Sequence, residues 1–217
     1  MKDSVWFDEG TAKGYEAWYA TEGRWADALE KALLLRLLGS VPEVRTALEV
    51  GCGTGHFTRW FTRHGPWTAG LDVSPVMLSE ATHRGGGPYV RADALALPFS
   101  DGAFDLVLLI TALAFIPEAE RALVEAVRVA RRGILLGVLN RRSFLALRRR
   151  LKGGEMWRQA RFFATGDLGR LARQSAGERF RALELRTALF PPGLEFAARF
   201  LPLGGFIGAM LMLGPSE

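Results

Sequence analysis

The 217-residue sequence predicts an α/β protein with a doubly wound, mostly parallel sheet of seven strands that ends in an antiparallel C-terminal strand pair. Short apolar runs alternate with segments of helical periodicity, which is typical of parallel sheets. The last two apolar runs have no long helix between them, which favours antiparallel pairing. Hydrophobic residues make up 49% of the chain and charged residues 24%, so a packed core is expected and wholesale disorder is excluded.

Each predicted strand is an apolar run bounded by turn-forming residues. These runs are 46–50, 68–73, 89–92, 104–110, 134–139, 180–189 and 206–213. Each predicted helix has apolar residues at helical spacing. The helices are 25–38, 54–64, one beginning at Ser74 and Pro75, one from Pro117 through Arg131 and Arg132 to Gly133, one near 142–151, and 166–175 with Thr165 as its cap. We expect a single domain over residues 1–217.

Cysteine usage and hydropathy indicate a cytoplasmic protein. Cys52 is the only cysteine, so no internal disulfide can form, and charged residues stand where a secretory signal would be apolar. The longest charge-free stretch, 200–216, is interrupted by glycines and a proline and is too short to span a bilayer. We therefore expect no transmembrane segment, and oligomeric state is not readable from the sequence.

Positive charge is concentrated in one segment. Residues 128–161 contain eleven arginines or lysines and one acid, Glu155, for a net charge of +10, whereas the whole chain carries +5. Such a surface suits an acidic substrate, a nucleic acid or an anionic membrane, or is simply a solvated helix face.

Three alternating glycines follow the first predicted strand in LEVGCGTGHF, residues 48–57. Glycine lets the backbone of Gly51, Gly53 and Gly55 turn sharply and approach a ligand. The dinucleotide motif G-x-G-x-x-G would need glycine at 56, where His56 stands, and Glu49 would repel a pyrophosphate. The loop therefore favours a ligand that carries an ammonium group.

Two more carboxylates are predicted at neighbouring strand ends. Asp72 lies 21 residues after Gly51, and Asp93 lies 21 residues after Asp72. A carboxylate in the place of Asp72 can accept both hydroxyls of a ribose, and the carboxyl ends of parallel strands form the usual ligand crevice. Together with Glu49, these residues describe an amino acid joined to a nucleoside.

This set of motifs resembles the class I S-adenosylmethionine-dependent methyltransferases, of the small ubiquinone/menaquinone-biosynthesis-like type. The likeness covers residues 15–140 in order and implies a Rossmann-like fold, S-adenosylmethionine as cofactor and S-adenosylhomocysteine as product. Carried over onto this chain, it implies that Glu49 and the glycine loop hold the methionyl part and that Asp72 binds the ribose. It also assigns cofactor contacts to Val73, Met77, Asp93, Ala94, Thr111, Tyr15 and Tyr19.

The resemblance and the aromatic content of residues 1–25 together predict an N-terminal lid over the cofactor. Trp6, Trp18 and Trp25 lie there with the two tyrosines, and aromatic faces attract a sulfonium cation, although they could equally pack an arm onto the domain. Residues 141–178 are expected to form a basic insertion on the acceptor side. We interpret His56 as a helix-surface residue, since no triad partner is visible in the sequence, and we assign no catalytic base and no metal.

The expected activity is in-line transfer of a methyl group to a small-molecule acceptor, which could be amphipathic or acidic. Alignment of the two reactants supplies most of the catalysis, and a base is needed only if the acceptor must lose a proton. Two alternatives stay open: an RNA or other nucleic-acid methyltransferase, suggested by the basic segment, and a cofactor-binding regulatory module without turnover.

Overall fold

The computed structural model describes residues 9–147, 160–190 and 203–215. Its strands are β1 (Thr46–Val50), β2 (Trp67–Asp72), β3 (Tyr89–Arg91), β4 (Phe104–Ile110), β5 (Ala130–Leu139), β6 (Phe180–Ala188) and β7 (Phe206–Leu213). Its helices are α1 (Glu9–Ala20), α2 (Arg24–Leu38), α3 (His56–His64), α4 (Pro75–Arg84), α5 (Ala119–Val129) and α6 (Thr165–Ala176).

The seven strands form one sheet in the order β3-β2-β1-β4-β5-β7-β6. Strands β1 to β5 pair in parallel, whereas β7 runs antiparallel to both β5 and β6. The predicted fold class is thus confirmed, including the C-terminal antiparallel pair. The chain order reverses between β1 and β4, which places a topological switch point, and hence a crevice, at the carboxyl ends of these two strands.

Strand β4 lies between two apolar clusters, and every one of its residues is buried. Val107 and Leu109 face the cluster that includes residues of α5 and α6. Leu106 and Leu108 face the other cluster, which includes residues of α2 and α3. A parallel strand covered on both faces is expected to be continuously apolar, as this one is.

The boundary between α5 and β5 differs from the prediction. Arg131 and Arg132 belong to the strand, not to the last turn of the helix, because β4 already pairs with β5 from Ala130 onward. The guanidinium group of Arg131 pairs with Asp105 on β4 at 2.6 Å. Gly133 does not stop the helix; a Cβ atom there would lie 2.6 Å from a backbone oxygen of β7.

Helix starts were predicted to within two residues. Ser74 caps α4 as predicted, with its Oγ accepting a hydrogen bond from the Met77 amide at 3.3 Å. Helix α3 starts at His56 because Gly55 before it has a left-handed backbone, φ +77°. Thr165 is the first helical residue of α6, not its cap, and the Asp167 carboxylate accepts the Ala164 amide at 2.8 Å.

The structure describes the N-terminal segment and the segment after β5 only in part. Helix α1 was not predicted, and it packs on α2 and α4. Of the helix expected near 142–151, residues 144–147 are helical and the remainder lies outside the described residues, as does Trp6. Within the described ranges no helix is both long enough and apolar enough to cross a membrane.

The two edges of the sheet are built differently. On one side β3 has only three residues. On the other side β6 has nine, and its exposed Arg181 and Arg186 lie along the outer edge, where Arg186 pairs with Glu184 at 2.7 Å.

Candidate functional site

A cavity of about 580 Å³ opens at the carboxyl ends of β1, β2 and β4. It coincides with the switch point of the sheet, where ligands of open α/β proteins bind. Ten of the twelve residues that the sequence assigned to the cofactor line it: Tyr15, Glu49, Gly51, Gly53, Asp72, Val73, Met77, Asp93, Ala94 and Thr111. Tyr19 and Gly55 are not among its lining residues.

The glycine loop between β1 and α3 provides the floor of the cavity. Gly51 and Gly53 both have positive φ, +73° and +54°. A Cβ atom on Gly51 would lie 2.5 Å from the Cβ of Ala112, whereas a Cβ atom on Gly53 would meet no atom within 4 Å. The absent side chain of Gly53 thus leaves open space beside the backbone, where a ligand can approach closely.

The Asp72 carboxylate is fixed at the tip of β2. Its Oδ2 accepts a hydrogen bond from the Gly53 amide at 2.8 Å, and its Oδ1 accepts one from the Ser74 amide at 2.8 Å. Burial raises the pKa of Asp72, although these backbone donors oppose the shift. Each oxygen retains lone-pair capacity for a further donor, as two vicinal hydroxyls require.

Glu49 is a buried carboxyl at the end of β1, with 1% of its surface exposed. Thr58 of α3 donates a hydrogen bond to its Oε2. Burial is the main cause that raises its pKa to about 8, so near neutral pH the carboxyl retains its proton unless a cation approaches. This observation fits a ligand that brings a positive charge.

Four more of the residues that the resemblance assigned to the cofactor line the cavity near Asp72. Met77 is fully buried, Val73 is 40% exposed, and the exposed Asp93 accepts the Leu95 amide at 2.9 Å. Thr111 follows β4 with φ +58°, a left-handed conformation that is costly for a residue with a branched side chain. Its position in the cavity wall makes this strain a sign of function.

Tyr15 and Tyr19 come from α1. Their hydroxyl oxygens are 3.1 Å apart, and their rings meet edge to face at 5.1 Å. Burial raises the pKa of Tyr15, which also hydrogen-bonds with Thr111. Tyr15 therefore reaches the cavity, whereas Tyr19 lies behind it and supports it.

A buried ion pair holds α1 against the glycine loop. The Oε1 atom of Glu16 accepts hydrogen bonds from Thr54 at 2.5 Å and from Arg59 at 2.7 Å. Burial acts to raise the pKa of Glu16, but these two donors outweigh it and the pKa is lowered. The lid predicted for residues 1–25 thus includes a helix docked on α3.

The interpretation of His56 as a helix-surface residue is wrong. His56 lines the cavity, and its ring stacks on Tyr19 with the centroids 3.8 Å apart. Its Nε2 atom lies 2.7 Å from the Asp27 carboxylate and 2.9 Å from the Lys31 ammonium. Asp27 is 29 residues away along the chain, so only the packing of α2 on α3 reveals this partner.

The sequence reading also missed an apolar part of the wall. Residues 115–118 after β4 line the cavity together with Phe57 and Ile110. The sequence shows an apolar run here, LITALAFIP, but nothing local in it indicates which side chains face a ligand.

Comparisons with known proteins agree with this geometry. Residues 48–137 match the family model described as a methyltransferase domain. A crystal structure from Thermotoga maritima, described as a SAM-dependent methyltransferase and possible histamine N-methyltransferase, superposes with a TM-score of 0.75 at 27% identity. The superposition covers 94% of this chain and 96% of that one.

Residues 48–137 thus match a methyltransferase domain, and the chain as a whole is similar to SAM-dependent methyltransferases. It is 32% identical over 139 residues to malonyl-[acyl-carrier protein] O-methyltransferase of Serratia marcescens, which covers 62% of this chain. It is 40% identical over 94 residues to a phthiotriol/phenolphthiotriol dimycocerosates methyltransferase of Mycobacterium tuberculosis, which covers 41% of this chain. The chain spans 52% and 35% of the lengths of these two relatives.

The residues present fit the cofactor of this family. Gly53 leaves room at the backbone, Asp72 offers two accepting oxygens, and the buried Glu49 gains most from a neighbouring cation. The narrower likeness to the ubiquinone/menaquinone type stays a prediction.

Proposed function

We propose that this methyltransferase transfers the methyl group of S-adenosylmethionine to a small-molecule acceptor. The observation that carries the proposal is the placement of Glu49 and Asp72 at adjacent strand tips around one cavity, with Gly53 between them. A ligand that joins an ammonium-bearing tail to a ribose satisfies both carboxylates at once.

The cofactor roles divide along the cavity. Glu49 receives the ammonium of the methionyl part, and Asp72 receives the ribose hydroxyls. Val73, Met77 and Ala94 surround the adenine, and Asp93 accepts from its amino edge. Tyr15 covers the methionyl side, where Thr111 also faces the ligand.

The bound cofactor supplies a methyl group that its positive sulfur already activates. The task of the chain is to hold the acceptor in line with that methyl, which is worth up to about 7–11 kcal/mol in favourable cases. The walls that can do this are Tyr15, Thr111 and the segment 115–118.

The acceptor is a small and partly apolar molecule. The wall beyond Thr111 consists largely of apolar side chains, among them Phe57, Phe115 and Ile116, which suits a hydrophobic ligand better than a phosphate backbone. The names of the two curated relatives describe methyl transfer to a carrier-bound malonyl group and to lipids. Both agree with an amphipathic acceptor.

Calorimetric titration with S-adenosylhomocysteine tests the cofactor site. We expect Asp72→Ala to weaken binding by about 1.5–3 kcal/mol, because a charged hydrogen-bond acceptor is lost. Asp101→Ala is the matched control, since Asp101 pairs with Arg128 and is not among the cavity-lining residues. Equal affinity for wild type and Asp72→Ala would refute the site.

Transfer of a labelled methyl group from S-adenosylmethionine into fractionated cell extract tests the acceptor. We expect the label in the small-molecule or lipid fraction. Label in the RNA or DNA fraction, with binding that weakens steeply as salt increases, would replace the proposal with a nucleic-acid methyltransferase. No transfer to any fraction by a protein that binds S-adenosylhomocysteine would favour a regulatory module.

A further inference from the structure

His56 lines the cavity, but the cofactor roles proposed above give this side chain no contact of its own. It is the first residue of α3, directly after the glycine loop, on the side of the cavity that carries Tyr15 and not Asp93. The ring is held on one face by Tyr19, stacked at an interplanar angle of 10°, and on its edge by Phe57. A side chain this constrained is pre-organised.

Asp27 and Lys31 are the partners of the Nε2 atom of His56. Hydrogen bonds from His56 and Lys31 outweigh burial and lower the pKa of Asp27, so the carboxylate is ionised and can only accept. Its Oδ2 accepts from Lys31 at 2.6 Å, and its Oδ1 lies 2.7 Å from Nε2 of His56. Nε2 thus lies between two opposed partners, the Asp27 carboxylate at 2.7 Å, which can only accept, and the Lys31 ammonium at 2.9 Å, which can only donate. Proton acceptance at the other nitrogen, Nδ1, requires the tautomer in which the shorter contact, with Asp27, is the hydrogen bond and Nε2 carries the hydrogen.

Nδ1 is then the unprotonated nitrogen of His56. Within the described residues, none of the hydrogen bonds of this ring involves Nδ1. A histidine that lines a ligand cavity and has one ring nitrogen bound to a partly buried carboxylate has the arrangement of a general base.

We propose that His56 is the general base of the methyl transfer and that Asp27 is the residue that positions it. The inference rests on the proposed function and sharpens it: the acceptor group is one that must lose a proton, such as a hydroxyl, and not a carboxylate that can react directly.

The step balances as follows. The electron pair of the acceptor oxygen forms the bond to the methyl carbon, and the carbon–sulfur bond breaks with its electrons remaining on sulfur. The proton of the acceptor hydroxyl passes to Nδ1 of His56. The imidazolium that results is stabilised by the Asp27 carboxylate at 2.7 Å.

Several other charged or titratable groups face this ring. Lys31 of α2 lies 2.9 Å from Nε2 and opposes the imidazolium. From α1, Tyr19 stacks on the ring and the Glu16 carboxylate interacts with it electrostatically. Glu16 is itself paired with Arg59 at 2.7 Å, so Asp27 is the carboxylate that bonds directly to the ring.

The kinetic test measures methyl transfer to the acceptor-containing extract fraction over pH 5–9. We expect His56→Gln to lower kcat by about 10²- to 10⁴-fold with little change in the KM for S-adenosylmethionine. The wild-type rate falls as the pH decreases, because a protonated imidazole accepts no proton, and the residual rate of His56→Gln loses this dependence. A variant with the wild-type rate and pH profile would overturn the inference.

His64→Gln is the matched control, since His64 is exposed at the other end of the same helix and its Nδ1 donates to the Trp60 carbonyl oxygen at 2.9 Å. Its rate is expected to equal that of wild type. Asp27→Asn is expected to lower kcat about 10-fold or more and to leave KM unchanged, because an amide no longer selects the tautomer. An Asp27→Asn rate equal to that of wild type would remove Asp27 from the mechanism.

Two readouts do not depend on turnover. The ¹⁵N shifts of the imidazole, assigned by their loss in His56→Gln, are expected to show the Nε2–H tautomer in wild type and a mixture in Asp27→Asn; an Nδ1–H tautomer in wild type would overturn the inference. His56→Gln is expected to bind S-adenosylhomocysteine as wild type does. If wild type itself does not bind it, the proposed function fails, whereas normal binding and transfer by His56→Gln refutes only the role of His56.

Discussion

The cavity has two walls that were built in different ways. The strand-tip wall consists of residues at the carboxyl ends of β1, β2 and β3, including Glu49, Asp72 and Asp93. The helical wall consists of Tyr15 and His56, supported by Tyr19 and Asp27. Each tip residue of the first wall is placed by the strand directly before it. The second wall exists only because α1 and α2 pack against α3: His56 meets Asp27 across 29 residues of chain, and Thr54 meets Glu16 across 38.

The largest expected effect is on stability at the strand-tip wall. Gly51→Ala combines a left-handed backbone with a Cβ contact of 2.5 Å to Ala112 and is expected to lower the free energy of unfolding by roughly 2–5 kcal/mol. Gly53→Ala has only the backbone cost, about 1–2 kcal/mol, but places its methyl in open space of the cavity. Urea unfolding and S-adenosylhomocysteine titration distinguish them; equal losses of stability would contradict this geometry.

The helical wall depends on one buried ion pair. Glu16→Ala leaves Arg59 buried without its carboxylate and is expected to cost about 2–4 kcal/mol of unfolding free energy. Glu80→Ala is a suitable control, because Glu80 also pairs with an arginine, Arg84, but within one helix turn at a more exposed site. If both variants unfold at the same urea concentration, α1 is not anchored through Glu16.

The two walls also differ in the sign of their response to pH. The pKa of Glu49 is raised to about 8, so binding of a cationic ligand at pH 7 should release ~1 proton, and affinity should increase from pH 6 towards pH 8, where the ligand's own amino group begins to lose its charge. Calorimetry in buffers of different ionisation enthalpy measures the proton release. Glu49→Gln is expected to bind without releasing it.

The pH dependence of the unfolding free energy, measured without ligand, tests the directions of the pKa shifts of Glu49 and Glu16. A raised pKa at Glu49 means that the folded state binds the proton more tightly, so its contribution to stability decreases as the pH rises from about 4.5 to about 8. The pKa of Glu16 is lowered, so its contribution is present above pH 4.5 and is lost as the pH falls below that value. Glu49→Gln should flatten only the first of these two dependences.

The smallest expected effects are those of two tyrosine substitutions, one at Tyr15 in α1 and one at Tyr89 in β3. Tyr15→Phe removes the hydroxyl contact with Tyr19 and is expected to cost about 1 kcal/mol of stability. Tyr89→Phe removes a hydroxyl that donates to the Gly85 carbonyl at 3.0 Å, at a similar cost. Only Tyr15 lines the cavity, so only Tyr15→Phe should also change S-adenosylhomocysteine affinity; parallel changes in both variants would argue against the helical wall.

What the sequence could predict follows the same division. Strands β1 and β4 were predicted to the residue and Ser74 was predicted as a cap, because apolar periodicity and capping are local properties. The boundary at Arg131 was missed because pairing with β4 overrides local helix preference. The partner of His56 was missed because nothing along the chain connects residue 56 with residue 27 before the helices pack.

The charged rim of β6 has a consequence for the behaviour of the protein at high concentration. Among the residues that the structure describes, no strand pairs with the outer side of the nine-residue β6, so its amides and carbonyls could pair with a neighbouring molecule and extend the sheet. Arg181 and Arg186 are exposed on this strand and Glu184 is its one acid, so two such strands would bring net positive charges together when they meet. At the opposite edge β3 has three residues, so a neighbouring molecule could form few ladder hydrogen bonds there; both edges therefore disfavour edge-to-edge addition of another sheet.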